Sequence, residues 1–161
     1  MTMRQPFEPV VQEHGATVLR VCRAVLGIGA DAEDAWSETF LSALRAWPDL
    51  DADANVEAWL VRIAQRKSID VVRGRARRAV VTDELPESAL PPAERDLDLW
   101  SAVAALPERQ RLAVAYHYLG GLPHAETARL IGGTPEAVRR ASADGIRSLR
   151  ARLSHPEGAT P

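Results

Sequence analysis

The chain is predicted to be all-α, built as two small helical domains, on three observations. Apolar residues recur at three- and four-residue spacing along most of its length, and β-branched alternation is almost absent. One Pro-containing acidic stretch near the middle breaks the periodicity. The 161 residues, 46% of them hydrophobic, suffice for one domain or two small ones.

A first helix is predicted from about Phe7 to Leu26, with Val11, Val18, Cys22 and Val25 on one stripe and Cys22 in the core. Gly27 and Gly29 end it, and Asp31 is suited to cap the next helix. From Asp31 to Trp47, the residues Trp36, Phe40, Leu44 and Trp47 recur at helical spacing before Pro48 stops the helix and DLDADA forms a polar loop. Asn55 caps a third helix whose apolar face is Val56, Trp59, Leu60 and Ile63, and which runs to about Arg78. Residues 82–98, TDELPESALPPAERDLD, read as a linker. The predicted division is therefore a first domain over 1–81, the linker, and a second domain over 99–161.

In that second domain Leu99, Val103 and Leu106 mark a helix ended by Pro107, and Leu112, Ala115, Tyr116 and Leu119 mark the next. A helix-turn-helix follows. Leu122, Ala125, Ala128 and Ile131 are expected to face inward on its first helix, and Gly132-Gly133 supply the turn. Thr134 caps the second helix and Pro135 takes its first position. Val138, Ser142, Gly145/Ile146, Leu149 and Leu153 then repeat at helical spacing, although Gly145 costs about 1 kcal/mol relative to Ala.

The net charge of −2 conceals a segregated pattern. Residues 1–61 carry net −6, 62–81 net +6, 82–108 net −6 and 109–153 net +5. Two separated basic blocks imply two anion-facing surfaces. The first holds Arg62, Arg66, Lys67, Arg73, Arg75, Arg77 and Arg78; the second places Arg139 and Arg140 early in a capped helix suited to a DNA major groove.

The sequence also excludes several function classes. No run of about 18 apolar residues occurs, so no membrane insertion is expected, and the N-terminal stretch lacks a signal peptide's apolar core. Cys22 is the only cysteine, which rules out an internal disulfide and points to a reducing cytoplasm. His14, His117, His124 and His155 show no close pairing in sequence, and no metal or cofactor is expected. The carboxylates at 31, 33, 34 and 38 lack an accompanying His or Gly-rich phosphate loop, so the chain does not read as an enzyme.

Ordered motifs along nearly the whole chain resemble the extracytoplasmic-function (ECF) sigma factors of bacterial RNA polymerase, in the sigma-70 family. The first domain carries Asp31-Ala-Glu-Asp34, then Glu38-Thr-Phe40-Leu-x-Ala-Leu-Arg45, Trp59-Leu60-x-Arg62-Ile63-Ala64 and Asp70-x-x-Arg73. The second carries Leu106-Pro107-x-Arg109-Gln-Arg111, Gly121-Leu-Pro, Glu126-x-Ala128 and Leu149-Arg150. The resemblance implies that the chain binds core RNA polymerase and directs promoter-specific initiation. By position it implies that Asp34, Ser37, Glu38 and Leu41 meet the clamp of the largest subunit, and that the second domain meets the flap region. It implies that the helix Trp59–Arg78 faces the minus-ten element, where Arg62, Arg66, Lys67, Arg73, Arg75, Arg77 and Arg78 hold phosphates of the unpaired strand. The loop Asp49–Asn55 would accept an extruded base, with Asn55 reading its edge. Trp36, Trp47 and Trp59 read as core, with Trp59 retained as a DNA contact. Thr134, Glu136, Arg139 and Arg140 would engage the minus-thirty-five duplex. An anti-sigma protein is a further partner that the resemblance allows.

The chain departs from the family where Glu136-Ala137-Val138 replaces a usual Gly-Thr-Val, and where Ala141–Asp144 lacks further basic residues. Ser37 replaces a common Gln, and Gln65-Arg66 a frequent Arg-Asn pair. These departures favour one base reader and one phosphate clamp in the Arg139/Arg140 pair. The alternative reading is a stand-alone helix-turn-helix regulator, which accounts for the second basic block but not the first.

Overall fold

A computed structural model of the chain describes residues 6–78 and 94–154. Helix α1 (Glu8–Leu26), α2 (Ala30–Ala46) and α3 (Val56–Arg78) form the first bundle, with one 3-10 turn at Trp47–Asp49. Helix α4 (Glu94–Ala104), α5 (Glu108–Ala113), α6 (His124–Ile131) and α7 (Pro135–Ser154) form the second, and α5 continues as a π-helical segment over Val114–Leu119. The predicted linker therefore ends sooner than expected, because residues 94–98 are already helical; the rest of it lies outside the described residues.

The first bundle packs around Val18, Cys22, Ala32, Ala35, Phe40, Leu60 and Ile63, all buried. An aromatic group closes one end: Phe7 and Trp36 pack on Phe40, Phe7 also meets Trp47, and Trp47 meets Trp59 at 6.2 Å between ring centroids. The Trp36 indole N–H donates to Gly15 O at 2.9 Å, so its one polar atom is satisfied. Asn55 caps α3 as its type predicts, accepting the Ala58 N–H at 3.1 Å.

Asp31 is a correction. It does not cap α2; Gly29 occupies that position at φ 151°, a conformation that favours glycine. Asp31 instead sits in the first turn, buried, and accepts a hydrogen bond from Arg75 Nε. Leu44 is a second correction: the helical count placed it on the apolar face, yet it is 51% exposed.

In the second bundle the π-helical segment closes with Gly120 N–H donating to Ala115 O at 2.9 Å, one residue further back than an α-helix allows. A Cβ at Gly145 would lie 2.7 Å from Val114 Cγ2, so the helix-weakening glycine lets α7 approach that segment. Ala125, expected inside, is exposed, while Thr127 and Ala128 are buried; Leu122 is buried but precedes α6. Leu153, the last residue of the α7 stripe, is 45% exposed.

The two bundles share core. Ala24 packs with Trp100, Val103 and Leu106, and Val21 and Val61 pack with Tyr116 and Leu122. The last carbonyls of α1, which have no partner within the helix, are taken up by two guanidiniums. Arg75 Nη2 donates to Leu26 O at 2.6 Å, and Arg111 Nη1 donates to Ala24 O at 3.3 Å and to Val25 O. Cations at a helix C-terminus also oppose its negative dipole end.

Candidate polymerase and nucleic-acid interfaces

Three surfaces rise from these elements. On α2 the helical repeat turns Ala32, Ala35, Thr39, Phe40 and Ala43 inward, leaving Asp34, Ser37, Glu38 and Leu41 on the exposed side. Leu41 is 47% exposed there, and Leu44 continues the same strip one turn on. Helical periodicity does not single out Leu44, because it cannot tell an apolar core residue from an exposed apolar one.

On α3, Leu60, Val61, Ile63, Ala64 and Ser68 are buried. Arg66, Arg73 and Arg77 stand exposed on the opposite side, and Lys67 is half-buried; the Arg78 side chain lies outside the described residues. The basic block is thus not one free stripe. Arg75 is committed to Asp31 and Leu26 O, binding α3 to the junction of α1 and α2. Arg62 reaches across to α6, where Nε donates to Glu126 Oε1 and Nη2 donates to Glu126 Oε2 at 3.1 Å. Each partner stabilises the other's charge: the Glu126 hydrogen bond holds the Arg62 guanidinium more firmly protonated, and Arg62 holds the Glu126 carboxyl below its ordinary value. Asn55 is exposed beside its cap, while Trp59 is half-buried against Trp47, consistent with a mainly packing role.

The helix-turn-helix forms as expected. Gly132 and Gly133 take φ 87° and 93°, and the Ala137 N–H donates to Thr134 Oγ1 at 3.1 Å. Arg109 Nη2 donates to Gly132 O at 2.7 Å and so braces the turn from α5. With Val138 fully buried, Thr134, Glu136, Arg139 and Arg140 are left exposed at the start of α7.

Tertiary structure also joins two histidines that looked unrelated in sequence. His117, in the π-helical segment, stacks on His124 at the start of α6 with ring centroids 3.8 Å apart. His117 Nδ1 is 2.6 Å from Leu122 O, so that nitrogen carries the hydrogen. His124 loses its proton more readily than an ordinary histidine, through burial and the nearby His117 and Arg139 charges.

Among the described residues no cluster of His, Cys, Asp and Glu could hold a metal ion. No helix among them is long and apolar enough to cross a membrane.

Comparison with known proteins agrees with this geometry. A family model described as Sigma-70 region 2 matches residues 10–78, and one described as Sigma-70, region 4 matches residues 96–149. The chain is 32% identical over 158 residues to the ECF RNA polymerase sigma factor SigM of Mycobacterium tuberculosis, covering 94% of this chain and 76% of SigM. It is 35% identical over 152 residues to the ECF RNA polymerase sigma factor ShbA of Streptomyces griseus, covering 83% of this chain and 80% of ShbA. Its fold is similar to that of the sigma factor RpoE of Bartonella quintana, solved with the anti-sigma factor NepR, with a TM-score of 0.74 at 20% identity over 93% of this chain and 98% of that one. The match to region 2 across the first bundle removes the stand-alone regulator, which has no use for such a domain. The chain belongs to the ECF sigma factors of the sigma-70 family, non-enzymatic proteins that direct RNA polymerase in transcription initiation.

Proposed function

We propose that the two bundles divide promoter engagement between them, with polymerase docking assigned to α2. Asp34, Ser37, Glu38 and Leu41 dock on the clamp of the largest subunit, and Leu44 extends the contact. The single observation supporting this is the exposure of an acidic strip and two leucines on the side of α2 facing away from a well-packed core. Unpartnered leucines beside carboxylates suit a partner surface that is apolar at its centre and basic at its rim. The second bundle meets the flap region, and an anti-sigma protein is a further partner in the cytoplasm.

Arg66, Lys67, Arg73, Arg77 and Arg78 follow the unpaired strand at the minus-ten element, with Asn55 and Trp59 beside the loop that takes up a base. Arg62 joins them when it leaves Glu126. Arg75 is assigned to the fold because its Nε and Nη2 are engaged by Asp31 and Leu26 O. Thr134, Glu136, Arg139 and Arg140 engage the minus-thirty-five duplex.

The test of α2 docking is the double variant Asp34→Arg/Glu38→Arg in a binding assay with core polymerase. Affinity should fall at least tenfold, on the order of the 1.4 kcal/mol that separates tenfold steps, with circular dichroism unchanged. Wild-type affinity in the double variant would remove α2 from the interface.

A further inference from the structure

Beside the recognition helix lies a cup of about 500 Å³ whose walls include His117, Tyr118, His124, Arg139, Arg147 and Arg150. It forms because Arg139, Arg147 and Arg150 fall on one side of α7, while the π-helical segment and the start of α6 bring the two histidines and Tyr118 against that side. No carboxylate lines it. Asp144 is bonded to Arg147 at 3.1 Å, and Glu126, two residues beyond His124, is bonded to Arg62. Arg139 and Arg150 have no carboxylate partner among the described residues. Two guanidiniums without a carboxylate, Arg139 and Arg150, set beside two imidazoles and a phenol, favour an anion between them. Guanidinium forks and imidazole or phenol N–H and O–H groups are all donors to phosphate oxygens.

We infer that this cup is a phosphate-binding site taken by a backbone phosphate of the promoter duplex, flanking the base-reading turns of α7, and that His124 binds a proton together with the phosphate. The inference rests on the proposed engagement of the minus-thirty-five duplex by α7. In the free protein burial, the stacked His117 ring and Arg139 disfavour charge on His124. A phosphate reverses that balance, so the bound form holds the proton at higher pH than the free form. Binding therefore tightens as pH falls, by at most about tenfold per pH unit for one proton.

The experiment uses holoenzyme assembled with the wild-type chain, His124→Gln or Arg150→Gln. The probe is a duplex from a promoter that this holoenzyme transcribes, cut upstream of the minus-ten element. Wild type should bind several-fold more tightly near pH 6 than near pH 8, and His124→Gln should lose most of that difference. Arg150→Gln should weaken binding at every pH and lower the salt slope by about 0.9, one phosphate contact, while the preference at each base pair is kept. Equal pH dependence in wild type and His124→Gln, or an unchanged salt slope in Arg150→Gln, overturns the inference but leaves duplex reading intact if base-pair preference persists. Loss of all sequence preference in the wild type overturns the duplex reading and the cup with it. In a parallel titration of the free chain, histidine resonances are followed with inorganic phosphate or with the duplex. A proton gained on His124 with the duplex supports the inference; one gained only with inorganic phosphate assigns the cup to a free anion and overturns it.

Discussion

Arg62 and Glu126 form a two-point ion pair across the seam between the bundles, joining residues 64 positions apart. Arg62 belongs to the basic helix proposed for the melted strand, and Glu126 to the first helix of the helix-turn-helix. One guanidinium fork cannot hold a carboxylate and a phosphate in the same geometry. Engaging strand DNA through Arg62 therefore exchanges one oxyanion for another and weakens this tie between the bundles.

Replacing Glu126 with Gln should reduce stability modestly. The Arg62 side chain is 46% exposed and that of Glu126 19%, so solvent screening limits the loss to about 0.2–1 kcal/mol. The sign with pH follows from the lowered Glu126 value: the contribution is full above the ordinary 4.5 and is lost as pH falls through the depressed folded value. Urea unfolding of wild type and Glu126→Gln should differ at neutral pH and converge in acid. A difference that persists unchanged in acid would mean that the pair contributes through packing and not charge.

Gly145→Ala tests the contact between α7 and the π-helical segment. Helix propensity alone favours Ala by about 1 kcal/mol. The added Cβ, however, would lie 2.7 Å from Val114 Cγ2 and 3.4 Å from Gln110 O. Val114 is 1% exposed and has no room to withdraw. The overpacking should dominate, giving a net loss of about 1–3 kcal/mol in thermal or urea unfolding. A stabilised variant would show that α7 shifts to accept the methyl group.

Cys22 should be inert while the chain is folded. It is fully buried, and burial pushes its thiol from 9.0 up to about 12. At mildly alkaline pH that leaves a roughly thousandfold smaller thiolate fraction, in addition to steric exclusion. A thiol reagent should react promptly in denaturant and negligibly without it. Because the unfolded chain loses this proton first, the stability of wild type relative to Cys22→Ala should fall as pH rises above 9.0. Fast labelling of the native protein would show that the first bundle opens locally.

Much of the molecule was legible in the amino-acid order because local rules governed it. The capping of α3 by Asn55 and of α7 by Thr134, and the Gly132-Gly133 turn, follow from backbone requirements met by neighbouring residues. The exposure of Asp34, Ser37, Glu38 and Leu41 and of the recognition-helix set follows from helical period against an apolar face, while their roles rest on the family resemblance. Periodicity failed where an apolar residue was not a core residue, as at Leu44 and Leu153, which the same count assigned inward.

The rest was decided by contacts between residues distant in sequence. Asp31 has the residue type of a cap, but an arginine 44 positions away takes its carboxylate into a part-buried pair. Arg62 and Arg73 read alike in a basic run, yet one meets Glu126 and the other stands exposed. His117 and His124 become a stacked pair because a π-helical turn and Gly121 at φ 75° reverse the chain between them. Helix period and capping depend on neighbours within about four residues and can be read directly. The Arg62–Glu126 pair and the shared core depend on how the bundles dock, through the packing of Val21, Val61, Tyr116 and Leu122, and the histidine cup on how α6 and α7 pack against the π-helical segment. No local pattern encodes that packing.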